Sequence, residues 1–203
     1  MHSDTKPLLL AIAYCVLAYF SGSVLYAPLL GAIFGVDPRK VGIDGNPGAT
    51  NAFRAGGMAL GTPVLLLDFS KGFFPVFWLF ESAGPLQPLL ALAPVLGHIF
   101  PIFHRFRGGK GIATTFGIWS ALTYWVIPSV LGTTFSVLLA LKHFTAFALP
   151  DHLGVMAGML HLTGWVALLY NRLYLTIALG NLALLLLAHR REFKRKGKNH
   201  AQP

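Results

Sequence analysis

Residues 7–36 read PLLLAIAYCVLAYFSGSVLYAPLLGAIFGV and carry no charged side chain. A helix of roughly 20 mostly apolar residues crosses the hydrocarbon core of a bilayer, so this run is long enough for one span. It is too long for a signal-peptide core and no A-x-A-like cleavage site follows a short apolar segment, so it reads as a retained span. Working outward, charge is also absent from 72–80, 82–104, 111–141, 152–171 and 173–189. The 203-residue chain is 55% hydrophobic and 11% charged, with mean hydropathy +0.63. Soluble domains carry about 25% charged residues, which excludes an ordinary cytosolic enzyme or a disordered regulator. The single Cys15 has no partner within the chain and forms no CxxC motif, which excludes a disulfide scaffold and a cysteine metal site. It reads as a small apolar packing residue.

The expected fold is all-α: a polytopic membrane protein with helices over 8–34, 56–80, 86–103, 111–124, 128–147, 153–170 and 172–189. The run 111–141 is long for one helix and short for two, so periodicity leaves six or seven spans open. Charge decides. The net charge is +9, from 16 Lys and Arg against 7 Asp and Glu. In a soluble protein that would suggest nucleic acid; here it marks cytoplasmic loops. With seven spans, Arg39, Lys40, Arg54, Arg105, Arg107, Lys110, Lys142 and the basic tail all share one face, and only Lys6 and Arg172 lie opposite. The positive-inside rule then puts the amino terminus out and the carboxyl terminus in. The expected organisation is one membrane-embedded domain, 1–203, whose basic tail 190–203 is solvated and drawn to anionic headgroups.

Polar chemistry gathers in two turns on the basic face. The first contains Gly45-Asn46-Pro47-Gly48-Ala49-Thr50-Asn51 with Arg54 one helical turn on. Gly, Asn and Pro are turn residues, and Thr50 or Asn51 would cap the next helix. Its first N–H groups attract an anion, which the Arg54 guanidinium would also reach. A plain capped turn carrying a positive-inside Arg accounts for the same residues. The second turn leads through His104, Arg105 and Arg107 into Gly108-Gly109-Lys110-Gly111. Glycines let backbone N–H groups approach an oxyanion while the Lys110 ammonium neutralises it. It is not a Walker A loop, because position 104 is His where that motif needs Gly, so nucleotide is not implied. Within the second span, Asp68 and Lys71 are spaced to meet on one helix face. They read as a structural ion pair, or as a brace beneath the cations.

The order Gly22-Ser23, then Gly45 to Asn51 with Arg54, Asp68-x-x-Lys71-Gly72, Gly97-His98-x-Phe100-Pro101-x-Phe103-x-x-Phe106-x-Gly108-Gly109-Lys110-Gly111-x-Ala113-Thr114 and His189-Arg190 resembles the bacterial acyl-phosphate-dependent glycerol-3-phosphate acyltransferase family. The match is collinear from about 20 to 115 and thinner afterwards. The resemblance implies a seven-span inner-membrane enzyme with a cytoplasmic active site. Such an enzyme transfers a fatty acyl group from acyl phosphate to glycerol 3-phosphate, giving lysophosphatidic acid and phosphate. It implies no cofactor, metal, nucleic acid or required protein partner; the partners are the two substrates and membrane lipids. Three departures stand out. Asp44 occupies the place of a family Ser, Glu192 stands at a family Asn, and the hydroxyl motif after the fifth span is represented by Thr145.

An acyl phosphate has a good leaving group, so the enzyme needs to orient an alcohol, stabilise the departing phosphate and exclude water. The resemblance assigns Lys110, with Gly108, Gly109 and Gly111, to that phosphate. Asn46, Thr50, Asn51 and Arg54 are assigned to substrate, together with Ser23, Thr145, His189, Arg190 and Glu192. His98 is the candidate hydrogen-bonding or general-base group, or else a packed histidine satisfied by backbone. Two other classes fit the same charges. One is a transporter or channel for an organic phosphate or other anion, against which stands the lack of a visible internal repeat. The other is an inactive relative that binds lipid-synthesis partners.

Overall fold

The computed structural model describes residues 5–41, 45–144 and 150–199, so Asp44 and Thr145 lie outside the described residues. Among the described residues there are eight α-helices and no strands. The chain divides into two units, Met1–Leu122 and Thr123–Pro203.

In the first unit, the run expected as one helix over 8–34 is broken. Helix α1 spans Thr5–Ser23 and α2 spans Tyr26–Ile33, with extended backbone at Leu25 and a bend of 42°. The reason is Pro28: its ring clashes with the carbonyl four residues back and it supplies no N–H, so the helix cannot run through Val24. Helix α3, Ala49–Leu79, begins seven residues before the expected 56. Gly56 and Gly57 depart from helical dihedrals, with Gly57 at φ 59°, so the sequence pattern registered only the segment beyond this kink. The cap is also different from expectation. Gly48 occupies that position without a side-chain bond, which places Thr50 and Asn51 inside the first turn.

Helix α4, Gln87–Ile99, packs against α1. A β-carbon at Gly97 would overlap the Tyr19 carbonyl and the Ser23 amide, so glycine is what allows the close approach. The Tyr19 hydroxyl then donates to the Phe100 carbonyl at 2.7 Å, satisfying a terminal acceptor of α4. Helix α5, Ile112–Thr123, is tied to α3 by the Thr114 hydroxyl, which donates to the Asp68 carbonyl at 3.0 Å. Near the start of α3, fully buried Ala27, Ala52, Leu60 and Val64 form a core flanked by Leu30, Val36, Ala49 and Ala55. On the connection between α2 and α3, Asp37 accepts from the Arg39 backbone and side chain, and the Arg39 guanidinium holds its carboxyl below the usual range.

The second unit holds α6 (Val126–Phe144), α7 (Asp151–Leu169) and α8 (Arg172–Asn199). The expected division of 111–141 into two helices is present: left-handed Tyr124, at φ 54°, ends the first of them. Helix α8 does not stop at 189. It continues into the basic tail as far as Asn199, where residues 190–196 contain neither glycine nor proline to end it.

Among the described residues, four helical stretches are long and apolar enough to cross a membrane: Ala49–Leu79, Glu81–His104, Asp151–Leu169 and Arg172–Arg190. The bent pair of α1 and α2 makes a fifth if it counts as one span. Ile112–Thr123 and Val126–Lys142 are apolar but shorter.

Candidate active site

The two glycine turns of the first unit meet. Asn51 reaches back from the first turn of α3 and donates through Nδ2 to the Asn46 carbonyl at 2.9 Å. Its Oδ1 accepts from the Arg54 guanidinium at 3.1 Å. One amide thus fastens both the Asn-Pro-Gly turn and the arginine. Asn51 is buried, whereas Arg54 and Thr50 are exposed. The predicted one-turn spacing of Asn51 and Arg54 is what lets their side chains meet.

On the other side, the chain leaving α4 folds back so that the Gly108 amide donates to the Ile99 carbonyl at 3.1 Å and the Gly109 amide to the His98 carbonyl at 3.0 Å. These bonds satisfy carbonyls that the end of α4 would leave open. A β-carbon on Gly109 would run into Nε2 of His98 and would lie 3.1 Å from Asn46 Oδ1. The glycine is therefore the contact point between the turns, resting on the imidazole. Lys110 follows it half-buried, and Gly111, left-handed at φ 77°, leads into α5. Just before, Arg105 and Phe106 both hold positive φ, at 53° and 59°, in the turn that reverses the chain.

Beneath lies a buried cluster. Lys71 Nζ stands 2.7 Å from Asp68 Oδ1, and both side chains are almost wholly enclosed. The ammonium also donates to the Val24 carbonyl at 2.6 Å, the group released by the break between α1 and α2, and sits 5.4 Å from the centre of the Tyr26 ring. The ion pair expected from spacing is present, and its third partner comes from the break between α1 and α2. Nδ1 of His98 is 3.7 Å from Asp68 Oδ1. Beside this cluster, a cavity of about 500 Å³ is lined by Leu17, Tyr26, Leu67, Lys71, Phe74 and Trp78 among others. Ser23 is buried near the break, its hydroxyl bonded to the Tyr19 carbonyl of its own helix at 2.9 Å.

The remaining site candidates belong to the second unit. His189 is buried and its Nδ1 lies 2.8 Å from the Leu185 carbonyl; Arg190 is exposed. Glu192 Oε2 lies 3.7 Å from Nδ1 of His152, whose ring meets Phe193 edge-on at 4.7 Å. Sequence reading missed His152 because nothing local links the first turn of α7 to the end of α8. It also missed Val24, a main-chain partner without a residue-type signature; Pro28 was the available signal. Among the described residues, no group of three or more His, Cys, Asp or Glu is arranged to hold a metal ion.

Residues 12–198 match the family model described as glycerol-3-phosphate acyltransferase. Glycerol-3-phosphate acyltransferase 1 of Thermotoga maritima is 45% identical over 118 residues, covering 56% of this chain and 58% of that protein. The aligned stretch therefore spans less than two thirds of that relative. The glycerol-3-phosphate acyltransferase of Bordetella pertussis is 36% identical over 199 residues, covering 94% and 91%. Among solved structures, PlsY (YgiH), an integral membrane glycerol 3-phosphate acyltransferase crystallised in its glycerol 3-phosphate form, superposes with TM-score 0.77 at 32% identity over 94% of this chain and 93% of that one. The adjoining glycine turns, the family model over nearly the whole chain and this shared backbone agree: the chain belongs to the glycerol-3-phosphate acyltransferase family.

Proposed function

We propose that this protein transfers a fatty acyl group from acyl phosphate to glycerol 3-phosphate, yielding 1-acyl-glycerol 3-phosphate and inorganic phosphate. The observation that carries the reading is the junction of the two turns at Gly109 and Asn46, with Arg54 fastened to one turn and Lys110 carried by the other. The acceptor hydroxyl oxygen bonds to the acyl carbon, the bond from that carbon to the phosphate oxygen breaks, and the hydroxyl proton passes to a base. Lys110 and the backbone of the 108–111 turn stabilise charge on the departing phosphate, where preorganised donors contribute most. Arg54 holds the phosphate of the acceptor, and His98, buried beneath Gly109, is the hydrogen-bonding imidazole of the site. The apolar cavity beside Lys71 suits an acyl chain. Roles for Ser23, Thr50, Thr145, His189, Arg190 and Glu192 are part of the same proposal.

Seven spans, an outward amino terminus, a basic tail at the inner surface and a cytoplasmic site in a bacterial inner membrane complete the reading. It is supported by the one-sided distribution of Lys and Arg. The test is a product assay on protein purified in detergent, offering acyl phosphate, acyl-CoA and acyl carrier protein as separate donors. Lysophosphatidic acid is expected from acyl phosphate, with most turnover lost in Lys110→Ala at unchanged folding. Near-normal rates in that variant would remove Lys110 from the leaving-group role. Flux of labelled glycerol 3-phosphate into liposomes without acyl product would favour a transporter.

A further inference from the structure

Helix α3 is bent into two arms. The short arm, residues 49–55, carries Asn51 and Arg54; the long arm starts beyond Gly56 and Gly57 and runs to Leu79. Gly57, at φ 59° and ψ −152°, occupies a region of backbone space open essentially to glycine alone, and through it the short arm folds back on the long one. Along an unbroken helix Phe53 and Gly61 would stand about 12 Å apart. Here a β-carbon on Gly61 would overlap Cγ and Cδ1 of the Phe53 ring. Gly61 is buried and lies in regular helix, where alanine is the more stable residue, so its own arm gives no reason for a glycine. The reason is the ring that rests on it.

The rest of the short arm is held weakly. Ala52 joins a core with Ala27, Leu60 and Val64, and Ala49 and Ala55 lie at its edge, but an alanine side chain buries little area. Phe53 is the one large apolar side chain of this arm. Its neighbour Arg54 is exposed and donates to Asn51 Oδ1 at 3.1 Å, while the Asn51 amide reaches the Asn46 carbonyl at 2.9 Å. A rotation of the short arm about Gly57 would therefore carry Arg54 and Asn51 together, and the seat of the ring fixes that angle.

We propose that Phe53 is a positioning residue for the acceptor: seated in the space that Gly61 leaves, its ring sets the angle between the arms of α3 and so holds Arg54 where the phosphate of glycerol 3-phosphate binds. This rests on the acyl-transfer reading, since it deepens the role that reading gives Arg54. A guanidinium placed before substrate arrives costs less to order on binding, so the effect falls on KM and not on kcat.

The experiment measures kcat, KM for glycerol 3-phosphate and thermal unfolding on full-length protein in detergent, with acyl phosphate as donor. Two controls come first: absence of wild-type turnover would overturn the acyl-transfer reading, and an unchanged KM in Arg54→Gln would overturn its assignment of Arg54, each taking this proposal with it. With both controls passed, Gly61→Ala drives the ring from its seat while favouring the helix. We expect KM to rise at least fivefold and kcat to stay within twofold. Combining Gly61→Ala with Phe53→Leu exchanges bulk across the seat, and KM is expected to return to within twofold of wild type. Added to Arg54→Gln, Gly61→Ala is expected to raise KM no further, because residues acting through one another are non-additive. Packing alone predicts a lower unfolding temperature with KM within twofold of wild type; that result in Gly61→Ala would overturn the proposal and leave the acyl-transfer reading standing. A KM that Phe53→Leu does not lower, or a rise that persists in full on Arg54→Gln, would also sink it. Should Gly61→Ala fail to fold, Phe53→Leu alone carries the test: it empties the seat and is expected to raise KM more than twofold at retained kcat, and a smaller change counts against the proposal.

Discussion

Asn51 links backbone, side chain and charge within a few ångströms: its amide donates to the Asn46 carbonyl and accepts from Arg54. Alanine at 51 removes both bonds at once and loosens the Asn-Pro-Gly turn. The expected cost is about 1–3 kcal/mol of stability, the range for a buried polar partner left unmet. The expected kinetic effect is a higher KM for glycerol 3-phosphate than in wild type, because an unfastened guanidinium must be ordered by substrate binding. Thermal unfolding and initial rates on Asn51→Ala check both. A KM unchanged within twofold would detach Arg54's tether from acceptor binding. Asp68 and Lys71 obey a different balance. Removing one member of such a buried pair costs about 3–5 kcal/mol because the other stays charged and enclosed, whereas removing both does not.

At the level of elements, the turn between α4 and α5 combines two opposing features. Gly108 and Gly109 bond back to the carbonyls ending α4, while Arg105 and Phe106 adopt left-handed backbone that L side chains resist. Left-handed conformation costs a non-glycine residue about 1–2 kcal/mol, partly offset because glycine has more freedom to lose on folding. Arg105→Gly is therefore expected to stabilise the protein by about 0.5–1 kcal/mol, readable as a higher unfolding temperature. A lower temperature would mean that the arginine side chain outweighs the backbone strain. The break between α1 and α2 shows the converse arrangement. Pro28 frees the Val24 carbonyl, and the ammonium of Lys71 answers it from α3 at 2.6 Å, so the local defect becomes a tertiary bond.

For the molecule as a whole, the testable quantity is topology. Cys15 is the chain's one cysteine and is buried, so Cys15→Ser gives a background for single-cysteine labelling in intact cells. Seven spans with the basic tail inside predict that a cysteine at Arg172 reacts with an impermeant reagent from outside, while one at Lys198 reacts only after permeabilisation. Both sites labelled from the same side would require an even number of crossings between 172 and 198 and would overturn this orientation. Charge-free runs, glycine turns and one-sided cations were all legible in the sequence, because hydropathy, backbone preference and net charge are properties of residues in order. So was the family, carried by Gly45 to Asn51 and Gly108 to Gly111. The spacing of Asp68 and Lys71 likewise forecast their pairing, since three residues along a helix bring side chains to one face. The helix bounds were read less well: α1 breaks at Leu25, α3 starts at Ala49, and Gly48 takes the cap expected of Thr50 or Asn51. Those outcomes depend on which carbonyls and amides find partners, and the partners lie far along the chain. Only the tertiary structure could join Val24 to Lys71, rest Gly109 on His98 or set Glu192 beside His152, because each contact is made by segments whose separation in sequence carries no signal of their distance in space.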